Sequence, residues 1–75
     1  MQLEMAKYLA IVKYTKEDGN GENQTVRHDI FDFECRPREV REEFNRISAQ
    51  RLKGVLMDGI PESRLYRIVE EIPLK

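Results

Sequence analysis

The chain has one cysteine, one histidine, no tryptophan and four glycines, and each shortage closes a route to function. A single cysteine, Cys35, allows no intrachain disulfide, so the natural compartment is a reducing cytoplasm. A lone histidine leaves no His pair for zinc and a single candidate base for a thiol. His28 and Cys35 fall on one strand pattern, pointing to opposite faces about 20 Å apart, which excludes a nucleophilic dyad. Cys35 reads as a small buried apolar residue. His28, Asp32 and Glu34 share a strand face, yet i to i+4 on a strand is about 13 Å, too far for one ion.

The glycines form no phosphate cradle. GNG at 19–21 matches neither the dinucleotide fingerprint nor the P-loop. The acidic pairs Glu42-Glu43 and Glu70-Glu71 are adjacent and diverge, so neither makes an acid–base couple. No apolar run approaches the roughly 18 residues of a membrane span. The start, MQLEMAKY, has no basic region ahead of an apolar core, so no signal peptide is expected. A non-enzymatic protein with no cofactor, no metal, no small-molecule substrate and no membrane partner is the expectation.

What is present is charge in balance. Charged residues are 36% of 75 residues, yet the net charge is −1, which gives no global field to steer a polyanion. Locally the balance breaks. Residues 36–56 carry six Lys/Arg against three Asp/Glu, and residues 1–35 carry four against seven. The length fits one domain, residues 1–75. A chain this short buries only about 60–65% of its unfolded surface, so a very regular core or an oligomer is needed to stabilise it.

AKYLAIVKYT, residues 6–15, reads as a strand, apolar on both faces at its middle. KEDGNGEN, residues 16–23, is turn material with its tip at Asp18 to Glu22. A second strand runs from Gln24 to Glu34, with Phe31, Phe33 and Cys35 on the core side and Val26, His28, Ile30, Asp32 and Glu34 on the other. Its alternation weakens near Asp29, which suggests a bulge. Pro37 opens a helix with Val40, Phe44 and Ile47 at i, i+4 and i+7. Arg38–Glu42 and Glu42–Arg46 are spaced for ion pairs. Arg51 projects onto the apolar stripe, so the helix ends there or the arginine snorkels. The last third reads as a second hairpin, with strands near 52–57 and 64–71 around DGIPES. Leu65, Ile68, Val69 and Ile72 fit a short helix as the alternative.

These elements give an α+β fold: a two-layer domain of order ββαββ, one amphipathic helix on an antiparallel sheet. One helix covers one sheet face. If Leu9 and Ile11 face it, then Tyr8, Val12 and Tyr14 lie on the far side, where Val26, Ile30 and Tyr66 could join them. Such a patch suits an interaction site, unless the termini or residues 52–75 fold over it. The function expected is a protein-binding module, a small regulator or inhibitor, with Tyr8, Val12 and Tyr14 as anchors, Arg38 and Arg41 at the rim, and a homodimer or a foreign protein as partner. The alternative is a nucleic-acid-binding domain that uses Arg36, Arg38 and Arg41.

Overall fold

The computed structural model describes residues 4–17 and 24–74. The expected hairpin tip at Asp18 to Glu22 lies outside them. The β-branched and aromatic run at the start forms β1, Ala6–Glu17, and the alternating run after the turn forms β2, Gln24–Cys35. They pair antiparallel without interruption from Ala6 opposite Cys35 to Glu17 opposite Gln24. The expected bulge near Asp29 is absent, since Asp29 stands in register opposite Val12.

Arg36 is extended, Pro37–Glu39 make one 3₁₀ turn, and α1 follows over Val40–Arg51. The proline occupies a position whose N–H would have no helical partner. The helix ends where Arg51 was expected to end it. The Leu52 amide still donates to the Ser48 carbonyl at 2.9 Å, and Gly54 then turns the chain at φ +80°, a conformation costly to a residue with a Cβ.

The last third departs from the expected hairpin. Only one strand forms there, β3, Glu62–Ile68, so the order is ββαβ and the sheet runs β2-β1-β3. Residues 52–57 contribute one isolated bridge, Met57 to Lys16. The Glu17 amide donates to the Leu56 carbonyl at 3.1 Å and the Asp58 amide to the Thr15 carbonyl at 2.9 Å. Both pieces therefore lie on the same edge of β1, one after the other, and cannot pair with each other as hairpin arms. Gly59, at φ +83°, and Pro61 separate them. β3 stops at Ile68, opposite Lys7, because β1 begins at Ala6 and offers little further edge. Leu65 and Ile68 are strand residues, so the helical alternative fails.

The core lies between α1 and one sheet face. Ala6, Tyr8 and Cys35 pack with Phe33 and Val40. Ala10, Val12 and Phe31 pack with Tyr14, Phe33, Phe44, Ile47 and Leu52. The stripe of Val40, Phe44 and Ile47 thus faces the sheet as its spacing required. Small residues at 6 and 10 leave room for the rings above them. Phe31 stacks on Phe44 with centroids 6.0 Å apart, and Tyr8 on Phe33 at 5.6 Å. Arg51 does not cross the apolar stripe unaided. Its guanidinium lies 5.1 Å over the Phe31 ring and makes two hydrogen bonds to the Asp29 carboxylate, at 2.8 and 2.9 Å.

That fork explains a polar residue on the helix-facing side of β2. Arg51 holds the Asp29 carboxyl below its ordinary range, outweighing the opposing effect of burial. A folded-state pKa below the unfolded one contributes stability that is complete above the unfolded value, about 3.9, and is lost as pH falls through the folded value. Asp29→Asn should therefore melt a few degrees below the wild type at neutral pH. The two curves should converge on acidification below about pH 4. Melts followed by circular dichroism across that range check it.

Candidate functional site

Because β1 alternates, the residues that face the helix decide which are left on the bare side. Tyr8 and Val12 are 7% and 1% exposed, Tyr14 is half-buried, and all three face α1. This corrects the expectation that they form an uncovered patch. Helix packing on the even-numbered face turns Leu9 and Ile11 outward instead. Val26, Ile30 and Tyr66 do lie on the bare side, 54%, 57% and 46% exposed.

The register orders this face into rows across β2, β1 and β3. Asp32, Leu9 and Tyr66 form one row, Ile30, Ile11 and Arg64 the next, and His28, Lys13 and Glu62 a third. Glu34, Lys7 and Ile68 close it at the other end. A shallow groove of about 470 Å³ runs across the middle, with Ile11 and Ile30 as its floor and Lys13, His28, Glu62, Arg64 and Tyr66 around them. The face has an apolar centre and charges of both signs around it: Asp32 and Glu34 at one corner, Glu62 at the opposite one, and Lys7, Lys13 and Arg64 among them.

Two charged groups of β3 and β1, Arg64 and Lys7, have partners in their own chain. Arg64 sits 3.8 Å from Glu62, and its pKa is raised first by hydrogen bonding to Tyr66 and then by the charges around it. Lys7 donates to Glu71 at 3.2 Å. That bond raises its pKa, and the acids Glu34 and Asp32 add to the effect. Among the described residues, Asp32 and Glu34 make no ion pair of their own.

The arginine segment is dispersed by contrast. Arg36 lies 3.4 Å from Glu39, Arg46 is 2.9 Å from Glu43, and Arg51 is taken by Asp29. These pairs replace the expected Arg38–Glu42 and Glu42–Arg46 spacings. Arg38 and Arg41 are exposed and make no ion pair among the described residues. Cys35 is buried on the helix side, whereas His28 is exposed on the bare side. Burial pushes the Cys35 thiol up, with Glu43 and Glu39 adding to the shift, so it is held as the unreactive thiol. Among the described residues no group of three or more His, Cys, Asp or Glu is placed to hold a metal ion, and no helix is long and apolar enough to cross a membrane.

One layer of helix leaves the molecule thin. Its extents are 54 × 32 × 16 Å and its radius of gyration is 15.3 Å, against about 11 Å for a compact domain of this length. It exposes 6406 Å², where a monomeric protein of its mass exposes about 4,800 Å². No α1 residue is fully buried. Leu65, on the helix side of β3, is 39% exposed, so α1 covers β1 and β2 but does not reach β3. The molecule is thus a small α+β domain in which the described residues leave one sheet face uncovered. Searches against protein-family models, curated proteins and solved structures find no match for the chain.

Proposed function

We propose that this protein is a non-enzymatic protein-binding module, a small regulator or inhibitor that works by burying its uncovered sheet face. The observation that carries the reading is the patch of Leu9, Ile11, Ile30 and Tyr66, spread over two adjacent rows of a face that the described residues leave uncovered, rimmed by charges of both signs. Apolar area kept in water has no stabilising role in the isolated chain, and a contiguous patch of it suits an interaction site. Tyrosine and arginine, here Tyr66 and Arg64, are the side chains that most often anchor such contacts. The lone, buried Cys35 suits a reducing compartment such as the cytoplasm.

The nucleic-acid alternative is supported by the exposure of Arg38 and Arg41. It is weakened by the acids that take up Arg36, Arg46 and Arg51. The two readings separate on salt. Native mass spectrometry of gently purified protein should find a polypeptide complex that survives moderate salt. That complex should be lost in Ile30→Glu and kept in the double variant Arg38→Glu/Arg41→Glu, whose melting curve should match the wild type. Co-purifying nucleic acid that leaves as salt rises, and that disappears in the arginine variant, would overturn the reading. With no tryptophan and three tyrosines, the protein's own ultraviolet absorbance is low enough for bound nucleic acid to dominate the spectrum.

A further inference from the structure

We propose that the occupant of the uncovered face is a second copy of this chain, packed sheet against sheet about a two-fold axis running along β1. The inference rests on the sheet-face reading and names its partner. Its argument is the self-complementarity of the rows. A two-fold along β1 lays β2 of one copy over β3 of the other and turns each row onto its own reverse. Leu9 and Ile11 then meet their counterparts at the centre, where sheets in a sandwich pack about 10 Å apart.

Three of the four flank rows bring complementary groups together, while the fourth sets Glu34 opposite Ile68 of the second copy. Asp32 comes opposite Tyr66 of the second copy, a hydroxyl donor. His28 comes opposite Glu62, and Ile30 opposite the aliphatic stem of Arg64. The row spacing on one face is about 6.8 Å. The crossing of about 30° between aligned sheets and the length of an arginine let the Arg64 guanidinium exchange Glu62, 3.8 Å away in its own chain, for Asp32, which has no ion-pair partner in its own chain among the described residues. Both corners form twice, as a two-fold contact requires. Of the lysines on the axis, Lys7 is matched within each copy by Glu71, and Lys13 stands beside Glu62 in the register without an ion pair to it among the described residues. The chain's 6406 Å² exceeds the roughly 4,800 Å² of a compact monomer by more than the roughly 800 Å² that each partner gives to a standard interface. The uncovered face accounts for part of that excess.

A charge exchange tests this in trans. Asp32→Arg places two arginines at each corner and Arg64→Asp places two aspartates, so each variant alone repels its own copy. Mixed, the two variants pair arginine with aspartate at both corners. Both positions are exposed, so each variant should fold, which circular dichroism checks. Sedimentation equilibrium from micromolar to sub-millimolar protein should find a reversible wild-type dimer. Its dissociation constant should rise at least about tenfold in each variant alone and recover in the equimolar mixture. A wild-type dimer indifferent to both variants, as edge-to-edge pairing of β2 would give, overturns the proposal, as does a mixture that stays monomeric. A wild-type monomer at every concentration also overturns it. The sheet-face reading then still stands if a different polypeptide is lost in Ile30→Glu, and falls with it if none is.

Discussion

Val12→Glu is expected to leave the chain unfolded at neutral pH, while Ile11→Glu, one residue away, folds and no longer associates. Val12 is 1% exposed between Phe31 and the helix. Its register neighbours on that side of the sheet are Asp29, an acid already engaged by Arg51, and Ser63, and neither offers a carboxylate a counter-charge. Burying an unpaired charge costs several kcal/mol, and a domain of this length has a total stability of only about 4–11 kcal/mol. Ile11 lies on the other face, between Ile30 and Arg64 in its row. A glutamate at 11 meets water and the Arg64 guanidinium, so its melting temperature should drop by only a few degrees, while the centre of the proposed contact becomes charged. Far-ultraviolet circular dichroism and amide chemical-shift dispersion report the fold, and sedimentation reports the association. If Val12→Glu folds and Ile11→Glu does not, the helix packs on the odd-numbered face and the interface assignment is reversed.

That pair also marks where the sequence stopped being legible. The period-two run at Phe31, Phe33 and Cys35 and the 3.6-period run at Val40, Phe44 and Ile47 each have one apolar side, so each announces its inner face locally. β1 does not. Tyr8, Ala10, Val12 and Tyr14 compete with Leu9 and Ile11, and both sets are apolar enough to be core. The choice is made by register, since pairing Glu17 with Gln24 brings Ala10 opposite Phe31 and puts even-numbered β1 residues on the aromatic side. The signal was available in the alternation of small and large residues, Ala6 and Ala10 between Tyr8 and Val12, which leaves space for rings from the next strand. The candidate anchors Leu9, Ile11 and Arg64 were missed for that reason, although Val26, Ile30 and Tyr66 were placed on the bare face.

The last third was misread on a different ground. Glycine and proline at 54, 59 and 61 do punctuate it, but punctuation says where pieces end and not which edge each piece joins. Residues 56–58 and β3 both found the one free edge of β1, a non-local outcome that their own composition does not encode. The weak alternation at Asp29 has the same origin. What looked like a bulge is a carboxylate reserved for Arg51, twenty-two positions later in the chain.

Phe31→Ala is expected to remove most of the stability the chain has. Phe31 is 7% exposed, lies 6.0 Å from the rings of both Phe33 and Phe44, and carries the Arg51 guanidinium on its face. It is the one aromatic that touches β1, α1 and the Asp29–Arg51 fork together. Truncating a buried phenylalanine costs about 3–5 kcal/mol, and Ala10 opposite offers the cavity only a methyl group. Against a total of about 4–11 kcal/mol, the variant should be largely unfolded at room temperature or melt tens of degrees lower. Urea unfolding with and without a stabilising osmolyte gives the difference even where the variant is partly unfolded in buffer. The proposed dimerisation would couple to the same equilibrium, so on that proposal the wild type should gain stability with protein concentration. The deficit of Phe31→Ala should therefore persist as concentration rises, since an intact contact face gives both proteins the same concentration dependence. A loss under about 1 kcal/mol would mean that α1 is not held at Phe31, because large effects of such truncations require a packed site.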